Sequence, residues 1–298
     1  MADRPCLMTI HAHPDDEASK GSATVARYTD QGARAVLVCC TGGEEGDILN
    51  PALDRPEIRA DLVEVRRREL AEATRIIGYD ATHLLGYRDS GMPDSEANAR
   101  SDAFANADID EAVGRLVRII RAERPHVIVT YSDNQLGYLH PDHLRVYDVT
   151  APAWEKAGDP EAYPEAGEPW TPSKLYFTTW SKTRVVATHQ KFGELGLESP
   201  YDDDWFEREW DDHRITTRVE IGPWYDRRVG ALRAHATQVD PASPFWFGLP
   251  DDVARGVYPF DDYILADSRV PTTTPEDDLF AGIGGLEPLA AVEAVLTR

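Results

Sequence analysis

The chain has 298 residues, with 31 Lys+Arg against 53 Asp+Glu and a formal net charge of -22 at pH 7. That length can bury a sizeable core as one large α/β domain. The charge argues against a nucleic-acid partner, because neutralising phosphates takes clustered Lys and Arg, and it disfavours adhesion to an anionic membrane. The surplus of carboxylates reads as a solubilising surface.

Taken in chain order, apolar runs alternate with helical periodicity through the first half. "CLMTIHA" (6–12) reads as a buried strand and "RAVLVCC" (34–40) as a second, with a helix over 17–31 between them, closed by Gly32. A helix is expected over 57–77, with Ile58, Leu62, Val65 and Ile76 on its apolar side and Gly78 as its stop. "THLLGY" (82–87) reads as a third strand. A helix over 109–124 follows, with Asp108 and Glu111 spaced as a capping box, and "HVIVTY" (126–131) is the next strand.

Alternating strand and helix predicts an α/β fold: a Rossmann-like, mostly parallel sheet with helices on both faces. The second half is less regular. Strands are expected at 173–180 and 215–221 and a helix at 224–236, while the acidic–aromatic stretch "YDDDWFEREWDDH" (201–213) reads as loops or short helices, surface structure in the first instance. There is no internal repeat and no long linker, so residues 1–298 are expected to form a single domain, 1–150 as its core and 151–298 as an irregular elaboration walling the pocket.

Three cysteines, Cys6, Cys39 and Cys40, lie in strand-like runs and make no disulfide framework. The N-terminus lacks a long apolar segment, and no run approaches the ~20 apolar residues of a membrane-spanning helix. A reducing cytoplasm is the expected location. The sequence is compatible with a homo-oligomer.

The chemistry concentrates in two places. "HAHPDDE" (11–17) follows the first strand, and "LGYLHPDH" (136–143) follows the strand at 126–131, so His-Pro-Asp is written twice at equivalent topological positions. In doubly wound sheets that is where ligands bind. His13 and Asp16, three residues apart, together with His143, make a His-Asp-His metal set. Three protein ligands and an open position describe a catalytic zinc site, where the ion polarises a carbonyl and acidifies water. Such a set also takes iron(II). Asp15, beside ligand Asp16, is the general-base candidate. Read alone, an Asp-Asp pair is a helix cap; the pairing with His13 favours the metal. His140 could assist the oxyanion or protonate a leaving amine, with the Asp142 carboxylate orienting it, and Tyr138 could add a phenol to the same oxyanion.

"AHPDDE" followed later by "HPDH" resembles the LmbE-like (PIG-L) zinc-dependent N-deacetylases. "TGGEEG", "RDSGM", "RPHVIVTY", "AGEPWTPSKLY", "HATQVDP" and "DLFAGI" are similar to the mycothiol branch of that family. The resemblance implies His13, Asp16 and His143 as metal ligands, Asp15 as base, and His140 and Tyr138 beside the tetrahedral intermediate. It implies Arg66 and Asp89 as residues that hold sugar–inositol hydroxyls. It also implies amide hydrolysis on a glucosamine nitrogen, with a small pseudodisaccharide thiol conjugate as substrate.

Within the branch, Lys20 is similar to a lysine of the members that cleave thiol conjugates, which favours them over the N-acetylglucosaminyl-inositol deacetylases; it reads as a substrate-binding cation for the acetyl-cysteinyl part and equally as an exposed helix lysine. Leu136 replaces a family glycine and is expected to reshape the pocket beside Tyr138. Arg66, without the resemblance, reads as a solvated helix charge. "TGGEEG" lacks the lysine and spacing of a phosphate loop and reads as a substrate-facing loop. His235 reads equally as a pocket residue or a structural one, whereas His83, His126 and His189 read as structural. A sugar-binding module without catalysis is disfavoured by Asp15, which a binder does not need. A nucleotide-dependent oxidoreductase is excluded by the missing G-x-G-x-x-G turn.

Overall fold

In the computed structural model, which describes residues 4–135 and 137–289, the apolar runs become strands β1 (Cys6–His11), β2 (Arg34–Thr41), β3 (Ala81–Tyr87) and β4 (Val127–Tyr131). Three more follow in the second half: β5 (Lys174–Thr179), β6 (Thr217–Glu220) and β7 (Phe260–Ser268). They form one seven-stranded sheet in the order β3-β2-β1-β4-β5-β7-β6. The first five strands run parallel, and β7 pairs antiparallel with both β5 and β6. Eleven α-helices flank the sheet among the described residues.

Strand period splits the core in two. Met8, Ile10, Val36, Val38 and Ile128 point to one face, under the helices Ile109–Glu123 and Pro141–Lys156. Leu7, Ala35, Val127 and Val129 point to the other, under the helices Ser22–Asp30, Leu62–Ile77 and Tyr225–Ala234. Burial on both faces is why β1 and β4 read as unbroken apolar runs. Each fully buried Val or Ile contributes ~1.5–3 kcal/mol.

Two expected helices are interrupted. The one at 17–31 divides into Asp16–Ser19 and Ser22–Asp30 at Gly21, whose φ of 98° ends the first turn; a Cβ there would stand 2.8 Å from the Tyr263 hydroxyl. The one at 57–77 divides at Asp61 into Pro56–Ala60 and Leu62–Ile77. The Asp108 carboxylate accepts the Glu111 N–H at 2.9 Å, as the capping-box spacing predicts. All three cysteines are buried and free. No described helix is long and apolar enough to cross a membrane.

The strand β7 was not foreseen. Its sequence carries Asp261 and Asp262, which look like a loop but are buried against partners. Arg228 donates to both oxygens of Asp261 at 2.6 Å, with Thr24 Oγ1 at 2.8 Å, and Asp262 accepts from Ser181 Oγ at 2.6 Å.

The order places β2 and β3 on one side of β1 and β4 on the other. The carboxyl ends of β1 and β4 therefore flank the point where the strand order reverses, and both His-Pro-Asp segments leave the sheet there.

Candidate metal centre and adjoining cavities

The chain turns sharply after β1. Asp15 has φ 112°, a left-handed conformation that costs a non-glycine residue about 1–3 kcal/mol. Its backbone N–H is held by Glu17 Oε2 at 2.9 Å, and Glu17 Oε1 meets His235 Nε2 at 2.5 Å, a fully buried pair. The turn brings His13 and Asp16 together: Asp16 Oδ2 accepts the His13 N–H at 3.0 Å.

On the other side, His140 caps the helix Pro141–Lys156, and Pro141 at its first position favours the helical φ. His143, one turn in, stacks on Tyr131 at the end of β4, with ring centroids 4.5 Å apart.

These segments meet around Asp16. His13 Nδ1 and His143 Nε2 lie 3.5 and 3.4 Å from the same oxygen, Asp16 Oδ2. The three donor atoms fall within 4.8 Å of one another. Tetrahedral donors ~2.1 Å from an ion are about 3.4 Å apart, so this spacing fits a small divalent cation. The electrostatics fit as well. Burial works against a charged His13, but Asp142, Asp16 and Asp89 outweigh it and raise its proton affinity well above the usual value, which marks a place built for positive charge. Burial pushes His143 down to about 4, leaving it neutral, the form that ligates.

A second cluster shares His13 and adds Asp89, His140 and Asp142. In it Asp89 accepts the N–H groups of Gly91 (2.8 Å) and Glu45 (3.3 Å), and Asp142 accepts Ser90 N–H (2.9 Å) and Oγ, so these two carboxylates also tie the loop after the strand β3 to the site.

The Asp142 carboxylate does not support His140 as the sequence reading placed it. Asp142 Oδ2 faces His13 Nε2 at 3.1 Å, while only its backbone N–H reaches His140, donating to Nδ1 at 3.2 Å. An imidazole that ligates through one nitrogen while giving the other N–H to a carboxylate is the usual arrangement at a metal. The backbone bond also fixes His140: with Nδ1 accepting, its proton is on Nε2.

Arg66, 2% exposed, is no solvated helix charge. Its guanidinium donates to Gly43 O at 2.6 Å and to Pro14 O, and pairs with Asp15 Oδ2 at 3.1 Å. The glycines of "TGGEEG" explain themselves here, since a Cβ at Gly43 or Gly46 would collide with that guanidinium. Burial raises the Asp15 carboxyl, opposed chiefly by Arg66. Lys20 places its ammonium on Asp16 Oδ1. Tyr138 is half exposed, its ring centroid 5.0 Å from His143 and 5.9 Å from His140. Leu136 lies outside the described residues.

His235 does not line the cavity; it is sealed behind Asp15 with Glu17. Neither Glu17 nor Ser90 was singled out from sequence. His83 pairs with Glu123 at 2.6 Å, His126 accepts the Cys6 N–H at 3.1 Å, and His189 meets Ser199 Oγ at 2.9 Å, all away from the site.

Two cavities open onto the cluster. One, of about 420 Å³, is bordered by Asp15, Glu45, Asp47, Arg66, Asp89 and Gln238. The other, of about 490 Å³, is bordered by Trp180, Trp205, Trp210 and Phe245. Ser19, Lys20, Tyr138, His143 and Trp246 border both.

Two imidazoles and a carboxylate spaced for a metal, with the half-buried Asp15 carboxylate beside them, are the groups a metal-dependent hydrolase would need. The chain belongs to the PIG-L (LmbE-like) family: the family described as GlcNAc-PI de-N-acetylase matches residues 8–154. It is 44% identical over 292 residues to a mycothiol S-conjugate amidase of Streptomyces coelicolor, spanning 95% of this chain and 99% of that protein. It is 40% identical over 293 residues to a 1D-myo-inositol 2-acetamido-2-deoxy-alpha-D-glucopyranoside deacetylase of Streptomyces avermitilis, spanning 93% and 97%. Among solved structures, N,N'-diacetylchitobiose deacetylase of Pyrococcus horikoshii shares the fold, with a TM-score of 0.61 at 19% identity over 88% of this chain and 84% of that one. The protein is accordingly a hydrolytic enzyme of the amidase/deacetylase class.

Proposed function

We propose that the protein hydrolyses the amide on the glucosamine nitrogen of mycothiol S-conjugates, giving an N-acetylcysteine S-conjugate and glucosaminyl-inositol. The observation that carries this reading is the meeting of two unlike cavities at the His13–Asp16–His143 cluster. The polar one, with Asp89, Glu45 and Gln238, offers acceptors and donors suited to a polyol. The other gives the acyl side about 490 Å³, far more than an acetyl group needs. The similarity to the Streptomyces coelicolor amidase supports the same choice. The whole chain acts as one unit, with residues 1–150 supplying most reacting groups and 151–298 walling the acyl side.

His13, Asp16 and His143 would hold the metal, zinc first and iron(II) as the alternative, with Asp142 fixing His13 and Lys20 fixing Asp16. When bound, the ion polarises the amide carbonyl and acidifies the water beside it. Asp15, its carboxylate held by Arg66, takes the proton of the attacking water. The proton that Asp15 takes passes to the leaving amine, while His140, neutral with its proton on Nε2, donates that N–H as a hydrogen bond to the oxyanion beside the Tyr138 phenol. Such proton transfers supply about 10²–10⁴ in rate. The product pair suits cytoplasmic removal of electrophiles captured on a thiol, or the trimming of a thiol-bearing metabolite.

The test uses zinc-loaded protein with a mycothiol S-conjugate and with N-acetylglucosaminyl-inositol in parallel, products identified by mass, and Asp15→Ala as control. Faster release of the N-acetylcysteine conjugate, lost in the variant, supports the amidase. Faster acetate release assigns the protein to the deacetylase step instead. Turnover of neither, with metal bound, points to a different acyl amine or to a sugar-binding role.

A further inference from the structure

The larger cavity has a defined shape. Trp180 and Phe245 lie parallel within 7°, centroids 5.7 Å apart. Trp246 stands at 88° to both, with centroids 6.2 Å from Trp180 and 4.7 Å from Phe245. The three rings make a right-angled corner. On the opposite segment, Arg208 lies over Trp205 at 4.0 Å and Trp210 at 3.8 Å, so its charge is directed at two indole faces. All six side chains are half-buried and border one space. Trp246, Tyr138 and His143 also border the polar cavity, which makes the corner continuous with the candidate metal centre.

Resting on the amidase reading, we infer that this corner is the subsite for the sulfur substituent and that it selects a flat, uncharged aromatic group. A planar ring laid on the outer face of the Trp180–Phe245 stack extends it and meets Trp246 at a right angle, satisfying at once the offset-stacked and T-shaped arrangements that aromatic pairs favour. A small alkyl substituent reaches neither wall. An anionic substituent meets the Glu209 carboxylate, while the two cations bordering the space are engaged elsewhere, Lys20 on Asp16 and Arg208 over the indoles. The volume falls within the ~300–1,000 Å³ of pockets that take drug-sized ligands. The carboxylates and amide that suit a polyol's hydroxyls, Glu45, Asp89 and Gln238, border the other cavity, so the two cavities together set the direction in which the substrate enters.

The experiment compares kcat/KM for the S-methyl and S-(2-naphthylmethyl) conjugates in the zinc-loaded full chain, in Trp180→Ala and in Phe245→Leu, with Trp180→Phe as the conservative variant. The wild type should prefer the naphthyl conjugate by about tenfold or more. Trp180→Ala and Phe245→Leu should bring the ratio to about one, and Trp180→Phe should retain most of it. In parallel, binding of the product S-(2-naphthylmethyl)-N-acetylcysteine is measured by calorimetry, with about tenfold weakening expected in the two disruptive variants. An unchanged ratio and unchanged binding in both folded variants overturns the subsite. Hydrolysis of neither conjugate, with acetate release intact, overturns the amidase reading alone. The calorimetric comparison then still decides whether the corner holds an aryl group.

Discussion

Arg66 Nη2 lies 3.1 Å from Asp15 Oδ2, while the same guanidinium binds the carbonyls of Pro14 and Gly43. One side chain thus ties the base candidate, its strained turn and the loop after β2 into a single unit. Both terminal nitrogens bond protein atoms, and only Nε is left without a partner among the described residues, so Arg66 is expected to act chiefly by aiming Asp15. Arg66→Lys, which loses the fork geometry, should lower kcat by about 10²-fold with KM changed less than about threefold. Gly46→Ala, whose new methyl must displace the guanidinium, should reproduce that pattern. Steady-state kinetics of the two variants check this; a rise in KM at constant kcat would mean that Arg66 binds substrate instead.

The bond of 3.1 Å between Asp142 Oδ2 and His13 Nε2 separates two roles that adjoin in sequence. Asp142→Asn should weaken zinc binding by about 10–100-fold, because the imidazole loses the carboxylate that orients it. His140→Ala should leave zinc affinity within about threefold while kcat falls by about 10² or more. Chelator competition on the two variants reads this directly, and equal affinity losses would place both residues on the metal.

The buried pair Arg228–Asp261 gives a pH signature. Burial raises the Asp261 carboxyl, but Arg228, Arg184 and the Thr24 hydroxyl overcome this and hold it below the ordinary range. Its unfolded value is about 3.9, so the stabilisation is fully present above that pH and disappears as pH falls through the depressed folded value. Urea unfolding should show Asp261→Asn less stable by about 3 kcal/mol at pH 7, because Arg228 is left buried without its counter-charge. The variant should also lack much of the loss the wild type suffers below about pH 4. Parallel acid limbs in the two proteins would assign that loss to other groups.

Metal removal should silence the enzyme without unfolding it, since the donors lie on loops and a helix start beyond a sheet with its own core. Dipicolinate-treated protein should keep its far-ultraviolet spectrum and regain activity with zinc or iron(II). Saturating metal at a hundredfold excess over Kd stabilises by about 2.7 kcal/mol, so the melting temperature should fall by ~5 °C or more on chelation. An apo protein without cooperative melting would contradict this placement of the site.

What could be read from the sequence follows from what is local. The strands β1 and β4 announce themselves because both faces are buried, and the two His-Pro-Asp segments are visible because each is contiguous. Their convergence follows from the βα alternation that places them at the ends of β1 and β4. The rest depends on distant packing. The break at Gly21 exists because Tyr263, far along the chain, approaches it. The strand β7 is concealed by carboxylates whose partners lie on other elements. Pro152 interrupts the periodicity of the helix Pro141–Lys156. The Asp142 carboxylate meets His13, 129 positions away, and Ser90, 52 away, and the Glu17 carboxylate meets His235, 218 away. The glycines of "TGGEEG" were noticed, but their reason, the guanidinium beneath them, belongs to another helix.

The position of β7 bears on how the protein is made. Among the described residues this strand is last in sequence yet lies between β5 and β6, so β6 has no strand neighbour there and β5 keeps an open edge until residues 260–268 have been synthesised. At ribosomal speeds of about 5–20 residues per second, N-terminal segments fold while later ones are still unmade. Cys6 to Lys156 contain all three donor segments and both flanking strands, and they leave the ribosome first. The aromatic corner, divided between Trp180 and the segment carrying Phe245 and Trp246, can close only afterwards. A nascent chain stalled between Lys156 and Phe245 would thus carry the candidate metal donors without the aromatic corner, and any chain stalled before β7 would show a naked strand edge on β5, open to pairing with another chain.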